Sequence, residues 1–328
     1  MIIDTDPGVD DAVAVMLAVA SPQVQLLAVT TVFGNAAVEV TTANALRLRA
    51  LAGQRRPARR VEHHQRRPAR RVEHHQRRPA CRVEHHLGQL PVAVGAARPL
   101  VYPRRLRASS WHGADGLAGR ADLLPAPSGP VNPLGAVPLM ATLLRGAVAP
   151  VTLVAIGPLT NIALLLAVHP EVKPRIGRIV TMGGDLSGPQ AEFNIGSDPE
   201  AARRVLVEED VPTTLVPLDL TRQAVLDDSW LAELAAAGPR CATLAVLIEA
   251  YRQRRRAPVA LHDSLAVLEA AAPGTVRTDQ QHLEVICDHG PTRGAVVSGG
   301  NGRRVQVARE ADLAAVNAAI LSQLRRLG

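Results

Sequence analysis

Apolar residues along the chain come in short runs separated by longer amphipathic stretches. Residues 2–4 predict a short strand. Residues 10–20 (DDAVAVMLAVA) predict a buried helix with two carboxylates in its first turn, where the helix dipole favours them. Residues 26–32 predict a second strand, 38–52 a second helix, and 91–95 a third strand that enters a long loop through Gly119. The alternation resumes with a strand at 151–156, a helix at 159–169 and a strand at 178–182 that ends in Gly183-Gly184. Asp198-Pro199-Glu200 is a strong helix start, with an N-cap, a proline in the first turn and an acid behind it. A strand at 213–218, helices at 228–237 and 241–254, strands near 282–287 and 304–308, and a C-terminal helix from Asp312 complete the pattern. Strands alternating with helices predict a single α/β domain, an open and mostly parallel β-sheet flanked by helices. Ligands of such sheets bind at the carboxyl ends of the strands, where every motif below falls.

At 328 residues, 47% hydrophobic and 20% charged, the chain can bury a sizeable core and is too apolar for a disordered tail. No window approaches the 18 apolar residues of a membrane span, which argues against a membrane protein. The chain opens on MIIDTDPG with no basic region followed by an apolar stretch, so no secretory signal is expected. Cys81, Cys241 and Cys287 are odd in number and widely spaced. They suit a reducing cytoplasm and spell neither a disulfide framework nor a zinc site.

The formal charge of +7 invites a nucleic-acid reading until it is located. Residues 54–86 are three tandem copies of an eleven-residue unit, QRRPARRVEHH twice and then QRRPACRVEHH. They carry +8, so the other 295 residues carry −1. A proline in every copy opposes a continuous helix, and crowded arginines with little but Val and Ala beside them cannot form a core. The expectation is an exposed basic loop that adds no catalytic group. The competing reading is a transition-metal site at His63-His64, His74-His75 and His85-His86, or arginines that grip RNA or DNA. It is disfavoured because adjacent side chains point to different sides of a helix or strand.

The sharpest chemical signal is Asp4-Thr5-Asp6-Pro7-Gly8-Val9-Asp10-Asp11, four carboxylates within eight residues at the exit of a buried strand. Such a cluster is costly unless a cation neutralises it. Oxygen ligands without Cys or a His pair point to a hard ion, Ca²⁺ or Mg²⁺. Pro-Gly explains a turn but not four acids. An Asp-x-Asp-x-Thr/Val phosphatase loop fails at its last position, where Gly8 stands.

The run DTDPGVDDA resembles the signature of the inosine-uridine preferring nucleoside hydrolases. Further matches follow in order: TTVFGN (30–35), WHGADGL (111–117), IGPLTNIA (156–163), MGG (182–184), AEFNIGSDPEAA (191–202) and LHDSLAV (261–267). The resemblance implies a Rossmann-like nucleoside hydrolase fold and a Ca²⁺ at the floor of a pocket, held by Asp6, Asp11, Asp263 and the carbonyl of Ile156. It implies that a water on this ion, its pKa lowered, is the nucleophile and that Asp6 or Asp10 is the general base. Asp10, Asn35, Asn194 and Asp263 would clamp the ribose hydroxyls, Glu192 would hold the 5′-hydroxyl, and Met182 would lie near the ribose. His262 would protonate the leaving base, with His112 on the base side of the pocket. Taken alone, Asp263 reads as a helix N-cap, His262 as a structural histidine, Asn194 as loop filler and Met182 as core.

Two departures bear on base choice. The loop between Met-Gly-Gly and Ala-Glu-Phe-Asn is only DLSGPQ (185–190), so Ser187 or Gln190 would replace a sugar-contacting asparagine of the family. Ahead of His262, where the family often has paired aromatics, Tyr251-Arg-Gln-Arg-Arg-Arg offers one. The leading hypothesis is hydrolysis of ribonucleosides to ribose and free purine or pyrimidine base, in nucleoside catabolism and salvage, by a cytoplasmic homodimer or homotetramer. The alternatives are a metal- and ribose-binding protein of the same fold without turnover, and a nucleic-acid binder acting through the repeat, which would show salt-sensitive affinity for polynucleotides.

Overall fold

Four consecutive buried residues form β1 (Ile2–Thr5). The computed structural model describes residues 1–53, 90–102, 109–300 and 302–328. The repeat at 54–86, with Cys81, lies outside the described residues. After β1 the chain turns through Pro7-Gly8 into α1 (Val9–Ala20), ten of whose residues are buried. A helix apolar on all sides belongs inside a core. Next come β2 (Ala28–Thr31), α2 (Val38–Gly53), β3 (Val92–Val94) and the single turn α3 (Ser109–His112). Then follow α4 (Ala136–Gly146), β4 (Val151–Ala155), α5 (Thr160–Val168) and β5 (Ile176–Met182).

The second half holds α6 (Phe193–Ser197), α7 (Pro199–Arg203), β6 (Thr213–Val216), α8 (Leu218–Thr221), α9 (Asp228–Ala236) and α10 (Pro239–Arg255). It ends with α11 (His262–Ala271), β7 (Arg277–Val285), β8 (Val296–Ser298), β9 (Arg304–Glu310) and α12 (Leu313–Leu324). The Asp198 start behaves as its sequence predicts, the side chain accepting from the Ala201 N–H at 3.2 Å. The helix α4 was not anticipated. Pro138 reads as a breaker, yet it stands in the first turn, where a missing N–H costs nothing.

The nine strands make one sheet in the order β3-β2-β1-β4-β5-β6-β9-β7-β8. The first seven are parallel; β7 runs antiparallel to both β9 and β8. Buried clusters cover both faces, one centred on α1, α10, α11 and α12, the other on α4, α5 and α7. This is the expected α/β architecture. From β1 the chain builds outward through β2 to β3, then returns to place β4 on the other side of β1. The strand order therefore reverses between β1 and β4, and a ligand crevice belongs at their carboxyl ends. Among the described residues no helix is long and apolar enough to cross a membrane.

Candidate active site

Asp6 leaves the end of β1 and fits between two glycines. A Cβ at Gly34 would stand 1.8 Å from its Oδ2, and one at Gly157 would stand 2.6 Å from its Oδ1. The Asn35 N–H donates to Asp6 Oδ2 at 2.6 Å, and the Asn35 side chain donates to Asp11 Oδ2 at 2.9 Å. Asp11 also accepts from Thr5 Oγ1 at 2.6 Å and from the Gly8 N–H at 2.9 Å. Carboxylate oxygens of Asp10, Asp11 and Asp263 lie within 4.8 Å of one another, all buried. Burial, then repulsion from Asp10, raises the Asp11 carboxyl to about 6. Burial followed by the charges of Asp10, Asp11, Asp6 and Glu192 raises Asp263 well above the carboxylate range. Asp10 Oδ1 is buried without a hydrogen-bond partner. Three crowded carboxylates with an orphaned oxygen and no Cys or His among them suit a hard cation.

The neighbouring wall comes from β4, β5 and α6. Asn194 Nδ2 donates to the carbonyls of Ile156 and Met182, both at 3.2 Å. Each carbonyl keeps a second lone pair. Glu192 accepts from the N–H groups of Gly184 and Asn194 at 2.9 Å and of Ile195 at 3.1 Å. Its carboxyl is still raised, because burial outweighs these donors.

The opposite wall is aromatic. His112 stacks on Tyr251 with ring centroids 4.7 Å apart, and Trp111 tilts toward Phe193 at 6.3 Å. Arg255 lies over the rings of Tyr251 (5.4 Å) and Trp111 (5.8 Å) and donates to the Tyr251 hydroxyl at 3.2 Å. The Val9 N–H donates to His112 Nδ1 at 3.2 Å, which leaves the ring proton on Nε2, 3.9 Å from Asp10 Oδ1. His262 Nδ1 meets Thr221 Oγ1 at 2.8 Å. Burial first, then for His262 the charge of Arg255, lowers both histidines to about 4, so both are neutral near pH 7. Together these walls enclose a cavity of about 210 Å³ lined by Asp10, Asn35, His112, Ile156, Met182, Glu192, Asn194, His262 and Asp263.

A family model for the inosine-uridine preferring nucleoside hydrolases matches residues 1–78 and 72–318, two stretches that overlap inside the repeat. The chain belongs to the inosine-uridine preferring nucleoside hydrolase family. A pyrimidine-specific ribonucleoside hydrolase RihA of Shewanella baltica is 39% identical over 263 residues, 79% of this chain and 71% of the relative. A non-specific ribonucleoside hydrolase RihC of Shigella sonnei is 38% identical over 277 residues, 83% of this chain and 78% of the relative. The solved plant nucleoside hydrolase PpNRh1 superposes with a TM-score of 0.82 at 25% identity, covering 98% of both chains. A purine-preferring ribonucleoside hydrolase from Gardnerella vaginalis gives 0.81 at 26% identity, with 99% of this chain and 98% of that one covered.

In this nucleoside hydrolase, the site residues expected from sequence, Ser187 and Gln190 apart, gather at one end of the sheet. All except Asp6 and Asp11 line the cavity; these two sit beneath it, held by Asn35. The three convergent carboxylates are those of Asp10, Asp11 and Asp263, with Asp6 tied to the Asn35 backbone beside them. Ser187 turns onto Asp185 at 2.6 Å on an exposed loop, and Ala191 rather than Gln190 lines the cavity. Sequence reasoning missed Trp111, Phe193, Arg255 and Thr221. Arg255 had one available signal: it stands four residues after Tyr251, the spacing that puts two side chains on one helix face.

Proposed function

We propose that the enzyme hydrolyses the N-glycosidic bond of ribonucleosides with the help of Ca²⁺. The convergence of three buried carboxylates beside an aromatic-walled cavity carries this reading. Asp6, Asp11, Asp263 and the Ile156 carbonyl would hold the ion. When bound, it neutralises the acidic cluster and makes water a better nucleophile near neutral pH. Asp6 or its neighbour Asp10 takes a proton from the attacking water. Asp10, Asn35, Asn194 and Asp263 hold the ribose hydroxyls, Glu192 holds the 5′-hydroxyl and Met182 packs against the sugar. As the C1′–N bond breaks, the sugar becomes oxocarbenium-like and the surrounding carboxylates stabilise its positive charge. The base leaves with the bonding electron pair, faced by His112 and His262. His262 is neutral in the free enzyme, so it acts first as a hydrogen-bond partner and donates a full proton only after taking one up.

Relatives named pyrimidine-specific, non-specific and purine-preferring all resemble this chain, so the proposal extends to ribonucleosides as a class. It treats residues 1–328 as one domain with 54–86 as an insertion, and the assembly as a cytoplasmic homodimer or homotetramer. The deciding experiment assays a panel of purine and pyrimidine nucleosides for free ribose. Calcium-dependent ribose release is expected. Binding of nucleosides without release would favour the non-catalytic alternative.

A further inference from the structure

We propose that Asn44 is a positioning residue for catalysis, tying the acidic loop after β1 to the loop that carries His112. This rests on the hydrolase reading of the same cavity. Asn44 lies on α2, is 2% exposed and does not line the cavity. Its Nδ2 donates to the Pro7 carbonyl at 3.0 Å and to the Asp115 carbonyl at 2.9 Å. Pro7 follows Asp6 directly, and Asp115 stands three residues after His112. One amide group thus spends both of its N–H bonds on two separate loops of the site.

The loop after His112 is tied together internally. The Asp115 side chain accepts from the N–H groups of Leu117 (3.0 Å), Gly119 (2.9 Å) and Ala121 (3.0 Å), which fixes the turn after His112. Gly116 has φ of 74°, and a Cβ there would stand 2.9 Å from Asn44 Nδ2 and 3.2 Å from the Pro7 carbonyl. The loop is therefore pressed onto the asparagine and onto Pro7 at the closest approach a glycine permits. The two loops also meet through the hydrogen bond from the Val9 N–H to His112 Nδ1 and the approach of His112 Nε2 to Asp10 Oδ1 at 3.9 Å. Those contacts involve a ring that lines the cavity; Asn44 joins the loops away from it. Without Asn44, contacts of the His112 ring with Val9 and Asp10 must set the distance between the carboxylates that act on the sugar and the wall that meets the base. Supports of this kind are worth about 10–100-fold in activity.

The test compares the full-length wild type with Asn44→Ala and with Asn44→Asp, which keeps the shape but offers two carbonyl oxygens an acceptor instead of donors. Both variants are expected to lose about tenfold or more in kcat on a nucleoside the wild type cleaves, with KM changed less than about threefold, at temperatures well below melting. Iodide quenching of tryptophan fluorescence gives a second readout that needs no turnover. The chain has two tryptophans, and only Trp111, beside His112, is exposed, while Trp230 is buried. Quenching of the ligand-free variants should differ from wild type, and the difference should vanish on a Trp111→Phe background. The proposal is overturned if Asn44→Asp keeps kcat within about twofold of wild type. It is equally overturned if activity falls only with the folded fraction while Trp111 quenching stays as in wild type. Absence of ribose release by the wild type itself would count against the hydrolase reading, and the quenching arm would still judge the tie.

Discussion

The floor and the aromatic wall of the cavity are built in different ways. The floor is made mainly of strand ends, joined by Asp263 from the first turn of α11. Asp6, Asn35, Ile156 and Met182 leave neighbouring parallel strands whose register fixes their spacing, and Asp10 and Asp11 follow within one turn of α1. The wall is made of helix ends brought from afar. Trp111 and His112 sit on α3, Tyr251 and Arg255 on the last turns of α10, and His262 on the first turn of α11. Chemistry common to every nucleoside belongs on the rigid half; chemistry that distinguishes bases belongs on the half whose pieces vary independently.

This division makes damage to the floor general and damage to the wall selective. Asp10→Ala should lower kcat at least ~10²-fold on every nucleoside cleaved, as removal of a general base or a ribose clamp does. A variant that retains more than about a tenth of wild-type kcat breaks the assignment of Asp10. Chelation of calcium should abolish ribose release and lower the melting temperature, since an ion bound only by the folded state at a thousand times its Kd adds ~4 kcal/mol. Full activity after exhaustive chelation would remove the ion from the reaction. Trp111→Ala should instead shift the ratio of kcat/KM between uridine and inosine by about tenfold while leaving the calcium requirement intact. An equal loss on both substrates would merge wall and floor into one functional unit. The smallest effect concerns neither half. Deleting residues 54–86 should change kcat/KM by less than about twofold, while the formal charge falls from +7 to −1. A large loss with the fold intact would give the repeat a part in shaping the cavity.

Legibility followed the same line. The octet Asp4–Asp11 announced itself because a local sequence holds all of its charge, and Asp263 because it stands in LHDSLAV, a run that resembles the family. The β1–α1–β2 order was readable from buried runs. Trp111 and Arg255 were not, because their meeting depends on α3 packing against the end of α10, which no local pattern encodes. The helix α4 was hidden by a proline that only its place in the first turn excuses. The front of β7 was missed for another reason: Arg277 to Gln281 show largely exposed, polar side chains, and their pairing with β9 supplies the strand.

The sheet also carries a consequence for self-association. Its two outermost strands, β3 and β8, are three residues long each. Strands so short present too few open backbone groups to template the addition of another chain, one of the ways natural proteins keep sheet margins from sticking together. Copies of this enzyme that assemble should therefore meet through helices and loops, and their sheets should end at each protomer rather than run on into the next.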